Sequence, residues 1–146
     1  MRIAVKFGYN GKNFYGFARQ PGLKTVEGRI IDILIDKKFI TSPTNNHFRY
    51  ASRTDKGVSA FGNVIAFNTD KNVNNLFDEI NFDEDIFFYG FKQVDEDFFP
   101  RYAKKRIYRY YLKDDNYNLD KIIEGHLKIL TGDNEKQKPQ EVQTKA

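Results

Sequence analysis

The sequence of 146 residues contains no cysteine and no tryptophan, and only two histidines, His47 and His126. The absence of cysteine excludes disulfides, zinc ribbons, iron–sulfur clusters and catalysis by a thiol. Two histidines are too few for a metal centre built from several imidazoles. We therefore expect no metal site in this chain.

Long apolar runs are also missing from the sequence. No stretch approaches the ~20 residues of a membrane-spanning helix. Lys6 interrupts the apolar residues near the N-terminus, which argues against a signal peptide. We expect a soluble, cytoplasmic protein with no membrane partner. Hydrophobic residues make up 40% of the chain and aromatic residues 16%, which is more than disordered chains contain and predicts a folded domain.

Hydrophobic periodicity predicts interleaved strands and helices. The predicted strands cover residues 3–7, 48–52, 64–67, 86–91 and 106–113, and the predicted helices cover residues 26–37, 72–80 and 119–130. Thr25 is the expected N-cap of the first helix. This order is typical of an α+β fold, and we expect a ferredoxin-like antiparallel sheet packed on helices. Because the composition turns polar after Gly132, we predict one domain over residues 1–132 and a disordered tail over residues 133–146.

Charges of opposite sign are concentrated in two neighbouring segments. Residues 78–97 contain eight acidic side chains and one lysine, whereas residues 101–113 contain six basic side chains and no acid. In the second segment tyrosines alternate with bases, which supplies cations for phosphates and flat rings for unstacked bases. This pattern is compatible with nucleic-acid binding, and it is also compatible with an amphipathic strand that has a solvated basic face, so composition alone leaves both interpretations open.

Residues 53–60 form the densest polar stretch of the first half, and it begins with Arg-Thr-Asp-Lys-Gly over residues 53–57. A carboxylate at Asp55 between Arg53 and Lys56 suits a nucleophile better than a general acid. Gly57 permits a positive φ or a close approach by a ligand. The same residue types also occur in ordinary turns with surface ion pairs, so composition alone leaves both interpretations open.

Three segments, in this order, resemble the TruA-type tRNA pseudouridine synthases. Residues 51–60 (Ala-Ser-Arg-Thr-Asp-Lys-Gly-Val-Ser-Ala) resemble the active-site loop of that family. Residues 9–27 resemble its N-terminal stretch, and residues 99–110, with Phe-Pro-Arg-Tyr and Arg-Ile-Tyr-Arg-Tyr, resemble a second block. The resemblance covers residues 1–132 and corresponds to the N-terminal half of the family, because no counterpart of the second half follows.

The resemblance implies one half of the pseudouridine synthase fold. It also implies a tRNA partner and isomerisation of uridine to pseudouridine in the anticodon arm, without cofactor or metal. Asp55 would be the catalytic residue, as nucleophile or base, and Arg53 would pair with it and take part in base flipping. Tyr108, with Tyr110 in reserve, would stack on the flipped base. The phosphate ligands implied are Lys104, Lys105, Arg106 and Arg109.

The missing second half leaves three possibilities open. The chain is an enzyme completed by a homodimer or by a separate chain, a non-catalytic RNA-binding module, or a truncated and inactive remnant.

Overall fold

The computed structural model describes residues 1–109. Its strands and helices alternate in the order β-α-β-β-α-β. They are β1 (Arg2–Tyr9), α1 (Val26–Asp36), β2 (Arg49–Tyr50), β3 (Ala60–Asn68), α2 (Leu76–Ile80) and β4 (Ile86–Val94). Two short 3₁₀ turns, Gly11–Asn13 and Pro100–Tyr102, follow β1 and β4. The predicted α+β class is confirmed, whereas the predicted helix over 119–130, the tail and Tyr110 lie outside the described residues.

The four strands form one antiparallel sheet in the order β2-β3-β1-β4. β1 pairs with β3 from Arg2 opposite Asn68 to Tyr9 opposite Ala60, and it pairs with β4 along its other edge. β3 lies between β2 and β1, which confirms the inner position predicted from the continuous apolar run over 64–67. β2 is shorter than predicted, since only Arg49 and Tyr50 pair with β3.

The core lies between one face of the sheet and the helices. Ile3, Val5 and Phe7 of β1 are fully buried, whereas Lys6 between them is exposed, as the period-two alternation predicts. Thr25 caps α1 by accepting a hydrogen bond at Oγ1 from the backbone N–H of Gly28 at 3.2 Å, which confirms the predicted helix start. Within the described residues no helix is long and apolar enough to cross a membrane.

The predicted fifth strand is wrong for its described part. Residues 106–109 follow the Pro100–Tyr102 turn without strand structure, and residues 110–113 lie outside the described range. The guanidinium of Arg106 bonds to acceptors on Ala51, Ser52 and Arg101. These bonds hold the segment against the residues that follow β2 instead of along the edge of another strand.

Candidate active site

Three segments that are distant in sequence meet at the end of the sheet where β1 finishes. The hydroxyls of Tyr9 and Thr54 form a buried hydrogen bond of 2.7 Å. The backbone N–H of Phe17 donates to the carbonyl of Thr54 at 3.0 Å, and Nε of Arg106 donates to Oγ of Ser52 at 3.0 Å. The structure therefore brings together the three segments that carry the sequence resemblance.

Thr54 anchors the loop that carries the candidate catalytic carboxylate. Its side chain is only 5% exposed, while the neighbouring Arg53, Asp55 and Lys56 are exposed. The N–H of Val58 donates to the carbonyl of Asp55 at 3.1 Å and closes a turn. The carboxylate of Asp55 is therefore exposed, while the backbone next to it is held by the buried Thr54.

Two glycines shape this loop. Gly57 has a φ of +82°, as the sequence predicted for a position that favours glycine. Gly11 lies so close to Val58 that a Cβ at this position would overlap with the Val58 carbonyl. The N–H of Gly11 also donates to Oγ of Ser59 at 2.9 Å. The turn after β1 and the loop after β2 are therefore packed backbone against backbone.

A cleft of about 320 Å³ opens beside Asp55. It is lined by Tyr15, Gly16, Phe17, Ala18, Gln20, Leu23, Arg53, Thr54, Asp55 and Lys56. Lys56 Nζ lies 4.6 Å from the centroid of the Tyr15 ring at its rim. The cleft combines one carboxylate, two cations and an aromatic surface, which suits a flat polar ring attached to a phosphate backbone.

The implied ion pair between Arg53 and Asp55 is absent from this structure. Within residues 1–109, the ion pairs within 4.0 Å do not include these two side chains, although both line the cleft. Residues 1–109 contain no cluster of three or more histidine, aspartate or glutamate side chains that would hold a metal ion.

The basic segment continues from the Pro100–Tyr102 turn. Lys104, Lys105 and Arg109 are exposed, and Tyr108 is partly buried. Arg106 is exposed as well, but its guanidinium differs from these cations because it bonds to the residues that follow β2. Contact between Arg106 and Ser52 brings this segment to the base of the loop that carries Asp55.

The Tyr9–Thr54 pair was not identified from the sequence. The signal that could have found it is that Tyr9 extends the buried alternation of β1, so its hydroxyl requires a partner inside the protein. Burial raises the pKa of Tyr9 to about 12, although its hydrogen bonds with Thr54 and Asn63 favour the ionised form. Tyr9 therefore stays neutral and holds Thr54 over the usual pH range.

The chain matches known proteins over about half of the length of each of those proteins. No protein-family model matches the chain. It is 43% identical over 135 residues to a tRNA pseudouridine synthase A of Thermococcus gammatolerans, covering 90% of this chain and 50% of that protein. Proteins of the same name from Thermococcus sibiricus and Methanobrevibacter smithii are 49% and 43% identical, and this chain covers 47% and 42% of their lengths. Each of these two matches extends over 84% of this chain.

We expect the free energy of unfolding to fall between pH 10 and pH 12 through Tyr9. The unfolded chain loses the Tyr9 proton near pH 10.0, whereas the folded protein keeps it up to about pH 12. The contribution of Tyr9 to the free energy of unfolding is therefore complete below pH 10. It decreases by on the order of 2 kcal/mol as the pH rises to about 12. Urea unfolding at several pH values measures the slope, and Tyr9→Phe should reduce it. An equal slope in both proteins would contradict this assignment.

Gly11→Ala should displace the loop after β2, because its Cβ would overlap with the Val58 backbone. We expect a loss of roughly 1–3 kcal/mol in the free energy of unfolding. Gly90→Ala is the matched control, since a Cβ there meets only the Lys6 Cβ at 3.8 Å, an ordinary contact. Chemical denaturation of both variants tests the difference. Equal stabilities would show that the two backbones need not approach closely.

Proposed function

Because this chain is homologous to tRNA pseudouridine synthase A proteins over about half of their length, we propose that it forms one half of a tRNA pseudouridine synthase. The observation that carries the proposal is that two of the resembling segments line one cleft that contains Asp55, while Arg106 of the third segment bonds to Ser52 at the base of the same loop. The proposed substrate is a uridine in the anticodon arm of tRNA, as the resemblance implies.

We propose a ferredoxin-like arrangement for the domain, as one half of the pseudouridine synthase fold. The element order β-α-β-β-α-β and the antiparallel strand order β2-β3-β1-β4 support this assignment. In such an arrangement β1 and β2 run parallel with β3 between them, so the loop after β2 emerges near the end of β1. This topology accounts for the contact between Thr54 and Tyr9.

Asp55 is the proposed catalytic residue. Conversion of uridine to pseudouridine breaks the bond between the sugar and a ring nitrogen, rotates the base and rejoins it through a ring carbon. The carbon loses a proton and the nitrogen gains one, so the reaction needs no further reactant. The exposed carboxylate of Asp55 acts in this scheme either as a nucleophile toward the sugar or as a base.

Arg53 and Tyr108 are the proposed contacts to the target nucleotide. Removing a base from a helical stack costs a few kcal/mol and leaves a gap. Arg53 is exposed next to Asp55 and is suited to enter that gap, while Tyr108, with Tyr110 as the alternative, would stack on the extruded base. The exposed cations Lys104, Lys105 and Arg109 are the proposed phosphate ligands.

The chain spans about half the length of the curated relatives that it matches. We propose that a separate chain or a second copy supplies the other wall of the cleft.

The Asp55→Asn variant should lose conversion of uridine to pseudouridine on a tRNA transcript. Replacing an acid–base or nucleophilic carboxylate with an amide should lower the rate by roughly 10²–10⁴-fold. Binding of the transcript should remain within a few fold of the wild type, because the exposed cations are unchanged. Asp32→Asn is the matched control, since Asp32 is exposed on α1 and does not line the cleft.

The wild-type chain provides the decisive comparison for this experiment. Absence of conversion by this chain alone, with tRNA binding retained, would contradict an enzyme that a second copy completes. It would favour either an enzyme completed by a separate chain or the non-catalytic RNA-binding module. Absence of both conversion and binding would favour an inactive remnant.

Replacing Lys104 and Lys105 together by alanine should weaken tRNA binding and flatten its salt dependence. The slope of log affinity against log salt should fall by about one unit for each phosphate that the variant no longer binds. Filter binding at several salt concentrations measures this slope. The control is Lys92→Ala, which removes an exposed lysine from the acidic 78–97 segment. An unchanged slope in the double variant would show that these lysines do not contact phosphates.

A further inference from the structure

Arg106 is the basic residue near the cleft whose guanidinium is engaged by three acceptors of the protein. Nε donates to Oγ of Ser52 at 3.0 Å, and Nη2 donates to the carbonyls of Ala51 at 3.1 Å and Arg101 at 2.7 Å. These bonds use three of the five N–H groups of a guanidinium. They also use the edge formed by Nε and Nη2, which would otherwise bind a phosphate through two parallel hydrogen bonds.

We propose that Arg106 is a positioning residue for the loop 53–57 and not a phosphate ligand. This inference rests on the proposed function, because it assigns Arg106 a role in presenting Arg53 and Asp55. It replaces the phosphate contact that the sequence resemblance implies. The reason is geometric: a phosphate could take that edge of the guanidinium only if the bonds to residues 51 and 52 broke.

The segment bound by Arg106 is held from its other side by β3. The side-chain amide of Asn63, which is only 2% exposed, donates to the carbonyl of Ser52 at 2.8 Å, and its Oδ1 accepts from the Ser52 N–H at 3.3 Å. The N–H of Ala51 donates to the carbonyl of Val64 at 2.9 Å. Residues 51 and 52 are therefore clamped between the sheet and Arg106.

Arg53 lies between two such anchors. Ser52 on one side is held by Arg106 and Asn63, and Thr54 on the other side is held by Tyr9 and Phe17. Loss of Arg106 removes part of the first anchor and frees the backbone that leads to Asp55. Small displacements of a reacting group lower the rate steeply, because reaction requires a narrow range of distance and angle.

The bond to Arg101 adds a second link. It connects the Pro100–Tyr102 turn to the same guanidinium that binds Ala51 and Ser52. Arg106 therefore links the segment that contains the proposed phosphate ligands to the loop that contains the proposed catalytic carboxylate. Lysine cannot replace Arg106 in this role, since an ammonium lacks the planar fork that reaches separate acceptors.

The experiment compares Arg106→Gln and Arg106→Lys in the full 146-residue chain, with Lys105→Gln as the matched removal of a proposed phosphate ligand. Three quantities are measured: single-turnover conversion on a tRNA transcript, the salt dependence of tRNA binding, and amide hydrogen exchange over residues 53–58. Ser52→Ala removes one acceptor without touching the arginine, and provides a second, smaller perturbation of the same contact.

We expect both Arg106 variants to lower conversion by about tenfold to a hundredfold. Hydrogen exchange at Val58, whose N–H bonds to Asp55, should accelerate by about tenfold in both variants because the loop opens more often. The salt dependence should stay at the wild-type slope in Arg106→Gln, whereas Lys105→Gln should lower it by about one unit. Ser52→Ala should shift conversion and exchange in the same direction.

A phosphate ligand would give the opposite result. The slope would fall by about one unit in Arg106→Gln and return in Arg106→Lys, with hydrogen exchange over 53–58 unchanged; this outcome would overturn the positioning role. If the wild-type chain alone does not convert uridine, completion of the site by a second copy fails, while hydrogen exchange and salt dependence still decide whether Arg106 holds the loop.

Discussion

The hydrogen bond between the hydroxyls of Tyr9 and Thr54 connects the sheet to the candidate active site. Tyr9 ends β1 and pairs with Ala60 on one side and Ile86 on the other, so its position is determined by two strand ladders. Thr54 takes its position from Tyr9 across 2.7 Å. Because both hydroxyls are buried, the bond between them satisfies groups that need a partner inside the protein, and the register of the sheet determines where the residue after Thr54, Asp55, emerges.

Local patterns in the sequence predicted most of the strands and α1. The alternation in β1, the Thr25 cap of α1 and the apolar run in β3 depend on neighbouring residues, and the structure confirms all three. The prediction of a fifth strand is wrong over residues 106–109. A contact between Arg106 and Ser52, which are 54 positions apart, determines the path of that segment. No local period contains information about such a contact.

The sequence predicted which residues form the candidate site, but not the hydrogen bonds that hold those residues in place. Resemblance identified Asp55 and Arg53, and the structure brings both to one cleft without joining them in an ion pair. The bonds that position them come from Tyr9 and Arg106. Spacing along the chain reveals neither bond, since each depends on how the sheet brings distant segments together.

The bonds that hold the loop after β2 have a consequence for the order of folding. Tyr9 and Thr54 are 45 positions apart, Gly11 and Ser59 are 48 apart, and Arg106 is 54 from Ser52. Contacts over such separations form only after the intervening chain has lost much of its entropy. The pairing of β1 with β3 joins residues that are similarly far apart or further, from Tyr9 opposite Ala60 to Arg2 opposite Asn68, and it brings the two sides of the loop contacts together. We therefore expect the loop to order with or after that pairing, so that a chain in which β1 and β3 are unpaired has no assembled cleft.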